Sequence, residues 1–275
     1  MAASVTAIVP TYERAALVAR ALESIYAQTR PPDEVIVVDD GSTDGTAELV
    51  RERFPAALLI QQNNAGVSAA RNAGVARASG DWIALLDSDD EWLPRKIERQ
   101  LAALERDPHP LCHTEEIWIR RGRRVNPMKK HAKQGGRIYR RCLPLCVISP
   151  SSALLSRALL EEVGTFDADL PVCEDYDLWL RVCARHPVLF LPEPLIVKHG
   201  GHADQLSRST PGMDRYRIVA LEKMLESGPL SPEDREATRR ELLAKIAIYA
   251  GGARKRGRLA EAEEYERRRE RWAGA

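Results

Sequence analysis

No stretch of this sequence approaches the roughly 20 consecutive apolar residues that a membrane-spanning helix requires. A secretory leader is not visible either: the apolar run Val5–Val9 is too short for its hydrophobic segment, and no basic residue precedes it. The expectation is a soluble chain, cytoplasmic or held peripherally at the inner face of the cell membrane without crossing it. Neither charge sign is in excess. The chain has 41 Lys and Arg against 40 Asp and Glu, a net charge of +1, so no global case exists for nucleic-acid binding. Five cysteines, Cys112, Cys142, Cys146, Cys173 and Cys183, are odd in number and irregular in spacing. Neither a disulfide framework nor a CxxC zinc pair is visible, and reduced, half-buried thiols are expected, with metal binding by Cys142-x3-Cys146 and nearby histidines as the lesser alternative. No internal repeat is visible.

What is present is ample core material, with 44% of residues hydrophobic, and a regular alternation of patterns. Val5–Val9 reads as a buried strand, and Leu17, Val18, Ala21, Leu22 and Ile25 fall at helical spacing over 14–28. Glu34–Val38 is a second strand, followed by a helix that Thr43 or Asp44 can cap and that runs to about Phe54. A weaker strand at Ala57–Gln61, a helix over 67–78, a strand at Trp82–Leu86 and a helix starting near Pro94 complete residues 1–106. Strand and helix alternating with short connections predict a mostly parallel sheet covered by helices, an α/β fold. Beyond it the spacing predicts a strand at 116–120, a helix over 151–163, a helix over Asp175–Ala184, strands at 188–191 and 195–198, and helices from about Gly212 onward.

In such sheets ligands bind at the carboxyl ends of strands, and both acidic clusters lie there. Asp87-Ser88-Asp89 follows WIALL, and carboxylates at i and i+2 of an extended segment face one way. Two such groups make a hard-oxygen site for Mg²⁺ or Mn²⁺, shared with substrate phosphates. Alternatively they are an acid cluster favouring the helix that starts near Pro94, as Asp90 and Glu91 partly are. Asp39-Asp40-Gly41-Ser42 can accept from a nucleobase or ribose, or is simply a capped turn. Arg71 can reach a phosphate as a fixed cation, or is a helix-surface arginine paired to a local acid. Glu174-Asp175 ahead of an amphipathic helix can divide acid and base roles between them, or cap that helix. Asp177 reads as structural. His199 or His202 in the HGGH loop can complete a metal shell or rest satisfied in a glycine-rich turn, and the residues after it read as a lid.

Taken in order, VTAIVPTYERA, EVIVVDDGSTDGT, NNAGVSAARNAG, WIALLDSDDEWLP and EDYDLWLR resemble the family 2 glycosyltransferases over about residues 4–200. The resemblance implies a GT-A (Rossmann-like) domain over 1–210, with a nucleotide-sugar-binding half at 1–106, an acceptor and catalytic half at 107–210, and a C-terminal helical extension over 211–275. It implies that Pro10, Thr11 and Asp40 line the nucleobase pocket, that Tyr12, Arg71 and Ser88 belong to the nucleotide site, and that Asp87 lies there near the ribose or the metal shell. Asp89, with Asp87 and His199, would hold a divalent metal, Mn or Mg, and Asp175, with Glu174 beside it, would be the general base. Glu13 departs from the asparagine usual after Pro-Thr-Tyr. The activity implied is inverting transfer from a nucleotide-diphosphate donor, typically a UDP-sugar, to a glycan or lipid-linked acceptor. A non-catalytic nucleotide-sugar binder is the alternative. A receiver-type phospho-switch puts its paired aspartates on the first strand, not the second. A DxD phosphohydrolase needs Thr or Val where this chain has Glu91.

The basic stretch Arg120–Arg141 reads either as a solvated face or as a surface for an anionic acceptor. The Arg/Glu-rich tail 254–271 has a thin apolar face and reads as a solvated helix with i,i+4 pairs. Peripheral membrane contact is its lesser alternative.

Overall fold

The computed structural model describes residues 3–126, 128–201 and 212–274. The β-branched runs of the first half become the centre of one sheet: β1 (Val5–Thr11), β2 (Glu34–Asp39), β3 (Leu58–Gln61) and β4 (Trp82–Leu85), all parallel. The sheet continues with β5 (Glu91–Trp92), β6 (Leu111–Arg120), β7 (Arg123–Val125), β8 (Leu154–Ser156) and β9 (Leu189–Gly200), in the order β3-β2-β1-β4-β8-β6-β9-β5, with β7 on β6. β8 runs antiparallel to β4 and β6, so the sheet is mixed. The helices are α1 (Ala15–Tyr26), α2 (Thr46–Arg53), α3 (Val67–Arg77), α4 (Lys96–Arg106), α5 (Tyr139–Cys142), α6 (Arg157–Val163), α7 (Glu174–Arg185), α8 (Asp214–Ser227), α9 (Pro232–Lys255) and α10 (Leu259–Ala273).

Strand period decides the layering. Ile8, Ile36, Val38, Ile83 and Leu85 point into a core shared with α3, α7 and the C-terminal helices. Val5, Ala7, Val9, Val35, Val37 and Ala84 point to the opposite core, under α1, α2 and α4. Both faces are covered, which is why these strands read as continuous apolar runs. Gly74 sets the distance of α3 from the sheet: a Cβ there would lie 2.5 Å from the Ile8 side chain.

Three local expectations change. The helix expected over 151–163 is a 3-10 turn at Pro150–Ser152, strand β8, and then α6, whose first turn Ser156 caps by accepting from the Leu159 amide at 3.2 Å. The two strands expected at 188–191 and 195–198 are one strand, β9, because register shifts between Thr114 and Glu116 on β6 absorb the prolines opposite. The tail is not solvated all round. Ala262, Tyr265 and Trp272 of α10 are buried, and Tyr265 packs on Tyr249 with ring centroids 4.4 Å apart. No helix among the described residues is long and apolar enough to cross a membrane.

Candidate active site

Parallel pairing brings the carboxyl ends of β2, β1 and β4 side by side, since the Asp40 amide bonds the Thr11 carbonyl and the Leu86 amide bonds that of Ile8. Pro10 and Thr11 are buried there, and Tyr12 is exposed just beyond. The Thr11 hydroxyl is buried without a hydrogen-bond partner among the described residues. Such an orphan at a strand end is a natural contact for a ligand. Glu13 stands in the left-handed region, φ 51°, and its carboxylate accepts from the Thr43 amide at 2.7 Å, tying the loop after β1 to the loop after β2. Glu13 therefore has a local task, at the position where the resemblance leads one to expect asparagine.

Where the sequence reading aims Asp40 at a nucleobase, the structure turns both its oxygens inward. They accept from Gln62 Nε2 at 2.7 Å, the Ala65 amide at 3.0 Å and the Gly66 amide at 2.8 Å. Asp40 thus clasps the loop that walls this end of the sheet. Gly41, at φ 88°, lets that loop come close, because a Cβ would sit 3.0 Å from the Asn64 nitrogen.

Arg71 differs most from expectation. It is neither a surface arginine nor an open phosphate cation, for α3 presses it into the interior at 3% exposure. Its guanidinium bonds Asp87 and Glu174, each at 2.6 Å, and stacks on the Phe166 ring at 5.0 Å. A buried guanidinium requires opposite charge, and here two carboxylates supply it from opposite halves of the chain. Burial, with Asp175 alongside, pushes the Glu174 carboxyl up to about 7 against the pull of Arg71. Asp87 goes the other way: burial would raise it, but Arg71 outweighs that and holds it below the usual carboxylate range.

The segment Leu86–Asp90 carries the chain from the end of β4 to β5 on the far side of β9. Asp89 pairs with Arg14 at 2.8 Å, and the Arg20 guanidinium donates to the Asp89 carbonyl. Ser88 is buried. Buried Asp90 accepts from Ser151 Oγ at 2.6 Å and from the His199 amide at 3.1 Å. Burial and the neighbouring Asp89 and Asp87 hold its carboxyl well above the usual range, although Lys198 pulls against them. Where the sequence reading offers His199 to a metal, the structure gives its Nε2 to Glu91 at 2.5 Å. Among the described residues no group of three or more His, Cys, Asp or Glu side chains is gathered to hold an ion. Asp87 and Asp89, with side chains 27% and 17% exposed, fit instead a hard cation that takes its remaining oxygens from a phosphate ligand. His202 and the loop read as a lid lie outside the described residues.

Asp175 opens α7 beside Glu174 and is half-buried. Its Oδ1 accepts from the Tyr176 amide at 2.7 Å and its Oδ2 from the Cys146 thiol at 3.1 Å. Asp177, one helical step on, is buried and bonded to Lys223 at 2.6 Å and Arg181 at 2.9 Å. Sequence reasoning missed two residues. Lys198, donating to Ser149 Oγ at 3.1 Å, faces Glu116, Asp90 and Asp87 and is held charged by them. It directly precedes His199, so the same strand-end logic reaches it. Cys146 carries no sequence signal for its contact with Asp175.

Residues 6–164 match the family model for glycosyl transferase family 2. The glycosyltransferase YwdF of Bacillus subtilis is 31% identical over 191 residues, covering 68% of this chain and 71% of YwdF. The amylovoran biosynthesis glycosyltransferase AmsE of Erwinia amylovora is 28% identical, covering 66% of this chain and 69% of AmsE. A glycosyltransferase of Rickettsia bellii is 30% identical over 186 residues, and the aligned stretch spans only 27% of that longer relative. Among solved structures, S. aureus TarS 1-349 in complex with UDP superposes with a TM-score of 0.68 at 20% identity, over 88% of this chain and 70% of that one. The mannosyltransferase PcManGT from Pyrobaculum calidifontis, in complex with GDP-Man and Mn²⁺, gives 0.65 at 20% identity, over 99% and 85%. These likenesses fix the architecture as GT-A. With strand-end acids on such a sheet and a family match across more than half its length, the chain belongs to glycosyl transferase family 2.

Proposed function

We propose that this chain transfers a sugar with inversion from a nucleoside-diphosphate donor, a UDP-sugar, to a hydroxyl of a glycan or lipid-linked saccharide. The observation that carries the reading is the Arg71 bridge, which ties Asp87 at the end of β4 to Glu174 beside Asp175. A donor seated over Asp87 and Asp89 is thereby held against the carboxylate that must act on the acceptor. The TarS complex with UDP and the PcManGT complex with GDP-Man and Mn²⁺ support a nucleotide donor and a divalent ion for this site.

The chemistry asked of the residues is limited. A hydroxyl is a poor nucleophile at neutral pH, so a placed carboxylate takes its proton as the new bond forms. Asp175 has that role, with Oδ1 fixed by its helix and Oδ2 shared with a thiol that is a weak donor. Glu174 is turned away to Arg71, which holds the segment in place. Asp87 and Asp89 would hold the divalent ion, Mn²⁺ or Mg²⁺, which supplies charge to offset the leaving diphosphate. Contact with a membrane surface is compatible with a lipid-linked acceptor and belongs to the same proposal.

The test is calorimetry with UDP, with and without Mn²⁺, together with product analysis for Asp175→Asn. UDP affinity should depend on the ion and survive the substitution, while transfer falls by about 10²–10⁴-fold. Ion-independent affinity in the unsubstituted protein, or transfer by the variant near the original rate, overturns the assignment. Binding with no turnover in either protein would leave a non-catalytic binder.

A further inference from the structure

Between Glu116 and Glu161 the sequence contains no acidic residue and eleven Lys and Arg. The structure accounts for four of them. Lys133 pairs with Glu116 at 3.2 Å and Arg140 with Asp234 at 2.6 Å, while Arg141 and Arg157 donate to backbone carbonyls. Arg120, Arg121, Arg123 and Arg124 surround the β6–β7 turn, and Lys129, Lys130 and Arg137 lie in the segment after it. All seven are exposed and, among the described residues, none pairs with a carboxylate.

Their placement is not that of scattered surface charge. Arg121 holds φ 49° and Gly122 φ 73°, the two left-handed positions of a tight hairpin turn. An arginine at the first of them is strained where asparagine would not be, and strain of this kind concentrates at functional sites. The turn adjoins the catalytic end of the sheet, since Trp118, Ile119 and Arg120 pair with Lys198, His199 and Gly200. The Trp118 ring links the two, with Lys198 Nζ 5.9 Å and Arg120 Cζ 5.3 Å from its centroid and the His131 ring at 5.4 Å. A cationic track therefore runs from Arg120 out to the hairpin tip, and the Trp118 ring joins its inner end to Lys198, whose own charge Glu116, Asp90 and Asp87 offset.

We propose that this track binds a polyanionic glycan acceptor, one with phosphate or carboxylate groups repeated along its chain, and feeds its end towards Asp175. The inference rests on the transferase reading and adds the chemical class of the acceptor. Guanidinium forks match both anions in a two-pronged way that ammonium does not. A membrane is disfavoured because, among the described residues of the segment, the only large apolar side chain exposed is Met128. Nucleic acid is disfavoured because no exposed aromatic ring in it offers a stacking platform.

Fluorescence anisotropy with labelled inorganic polyphosphate and labelled polygalacturonate tests this, comparing the original chain with Arg121→Gln/Arg123→Gln/Arg124→Gln. The changes lie on an exposed turn outside the donor machinery, and UDP calorimetry on both proteins reports fold and donor site separately. Tight binding to one or both polymers, weakened about tenfold or more by the triple change and with its salt slope reduced by about 2–3, supports the track. Preference for polyphosphate or for polygalacturonate tells which anion is read. Equal binding by both proteins overturns it, as does tighter binding to phosphatidylglycerol vesicles or to an oligonucleotide of equal charge. Failure of the transferase reading would appear instead as loss of ion-dependent UDP binding, with polymer binding intact.

Discussion

Glu174 sits between two demands: Arg71 favours its charge, while burial and Asp175 oppose it. With the carboxyl pushed up to about 7 from an ordinary 4.5, the folded protein holds the proton more tightly than the unfolded chain does. The resulting stabilisation is complete below about 4.5 and is lost as pH rises through about 7. Glu174→Gln should abolish that slope, and denaturation midpoints across the window should differ between the proteins by roughly 1–3 kcal/mol from end to end. Parallel curves would mean that the proton is not on Glu174. At this scale the sequence shows which acids matter, because strand ends and the head of α7 are readable from periodicity. It does not show where their oxygens turn. Asp40, His199 and Arg71 all find protein partners that no local pattern announces, since those partners lie 16 or more residues away.

Among the elements, α4 contains an uncommon group. Lys96 has no exposure; its ammonium donates to Gln100 at 2.8 Å and lies 4.4 Å from the Trp92 ring centroid. Burial lowers it to about 7. The unfolded chain then binds the proton more readily, so stability rises as pH climbs from about 7 towards 10.5. Lys96→Met fills the same space without the charge and should raise stability near neutral pH by roughly 1–4 kcal/mol. It should also flatten the alkaline slope, which chemical denaturation at several pH values would reveal. Elements were the most legible scale where the pattern was strong: β1, β2, β4, α1 and α4 follow from apolar runs and spacing, whereas α2 is read from a capping residue, β3 and α3 from weaker patterns, and the two-residue β5 from none. Legibility failed where apolar runs were short. Leu154-Leu155 fits a helix or a strand equally well from sequence, and only pairing with β4 and β6 decides.

For the whole molecule, the C-terminal helices are joined to the α7 segment that carries Glu174 and Asp175 and not hung beside it. Lys223 on α8 bonds Asp177 on α7 and Asp167 before it, each at 2.6 Å. α10 closes over α8 and α9: Trp272 donates to Glu222 at 3.1 Å and Tyr249 to Glu261 at 2.7 Å. Trp272→Ala should cost about 2–4 kcal/mol in unfolding free energy, followed by tryptophan-independent circular dichroism, because it opens a gap under the last turn. A loss below about half a kcal/mol would return α10 to the solvated helix its composition suggests. The three buried residues, Ala262, Tyr265 and Trp272, are too widely spaced in this Arg/Glu-rich helix to predict its docking.

The shared guanidinium of Arg71 has a consequence for additivity. Above about pH 7, where Glu174 is ionised, Asp87→Asn leaves Arg71 neutralised by Glu174, and Glu174→Gln leaves it neutralised by Asp87, so each acid covers for the loss of the other. Only the double variant strands a buried cation, at a cost of about 3–5 kcal/mol. A double-mutant cycle on unfolding free energy should therefore give a destabilisation well above the sum of the singles. The fold should then tolerate losing either acid, and a single substitution here would report on chemistry with the scaffold intact.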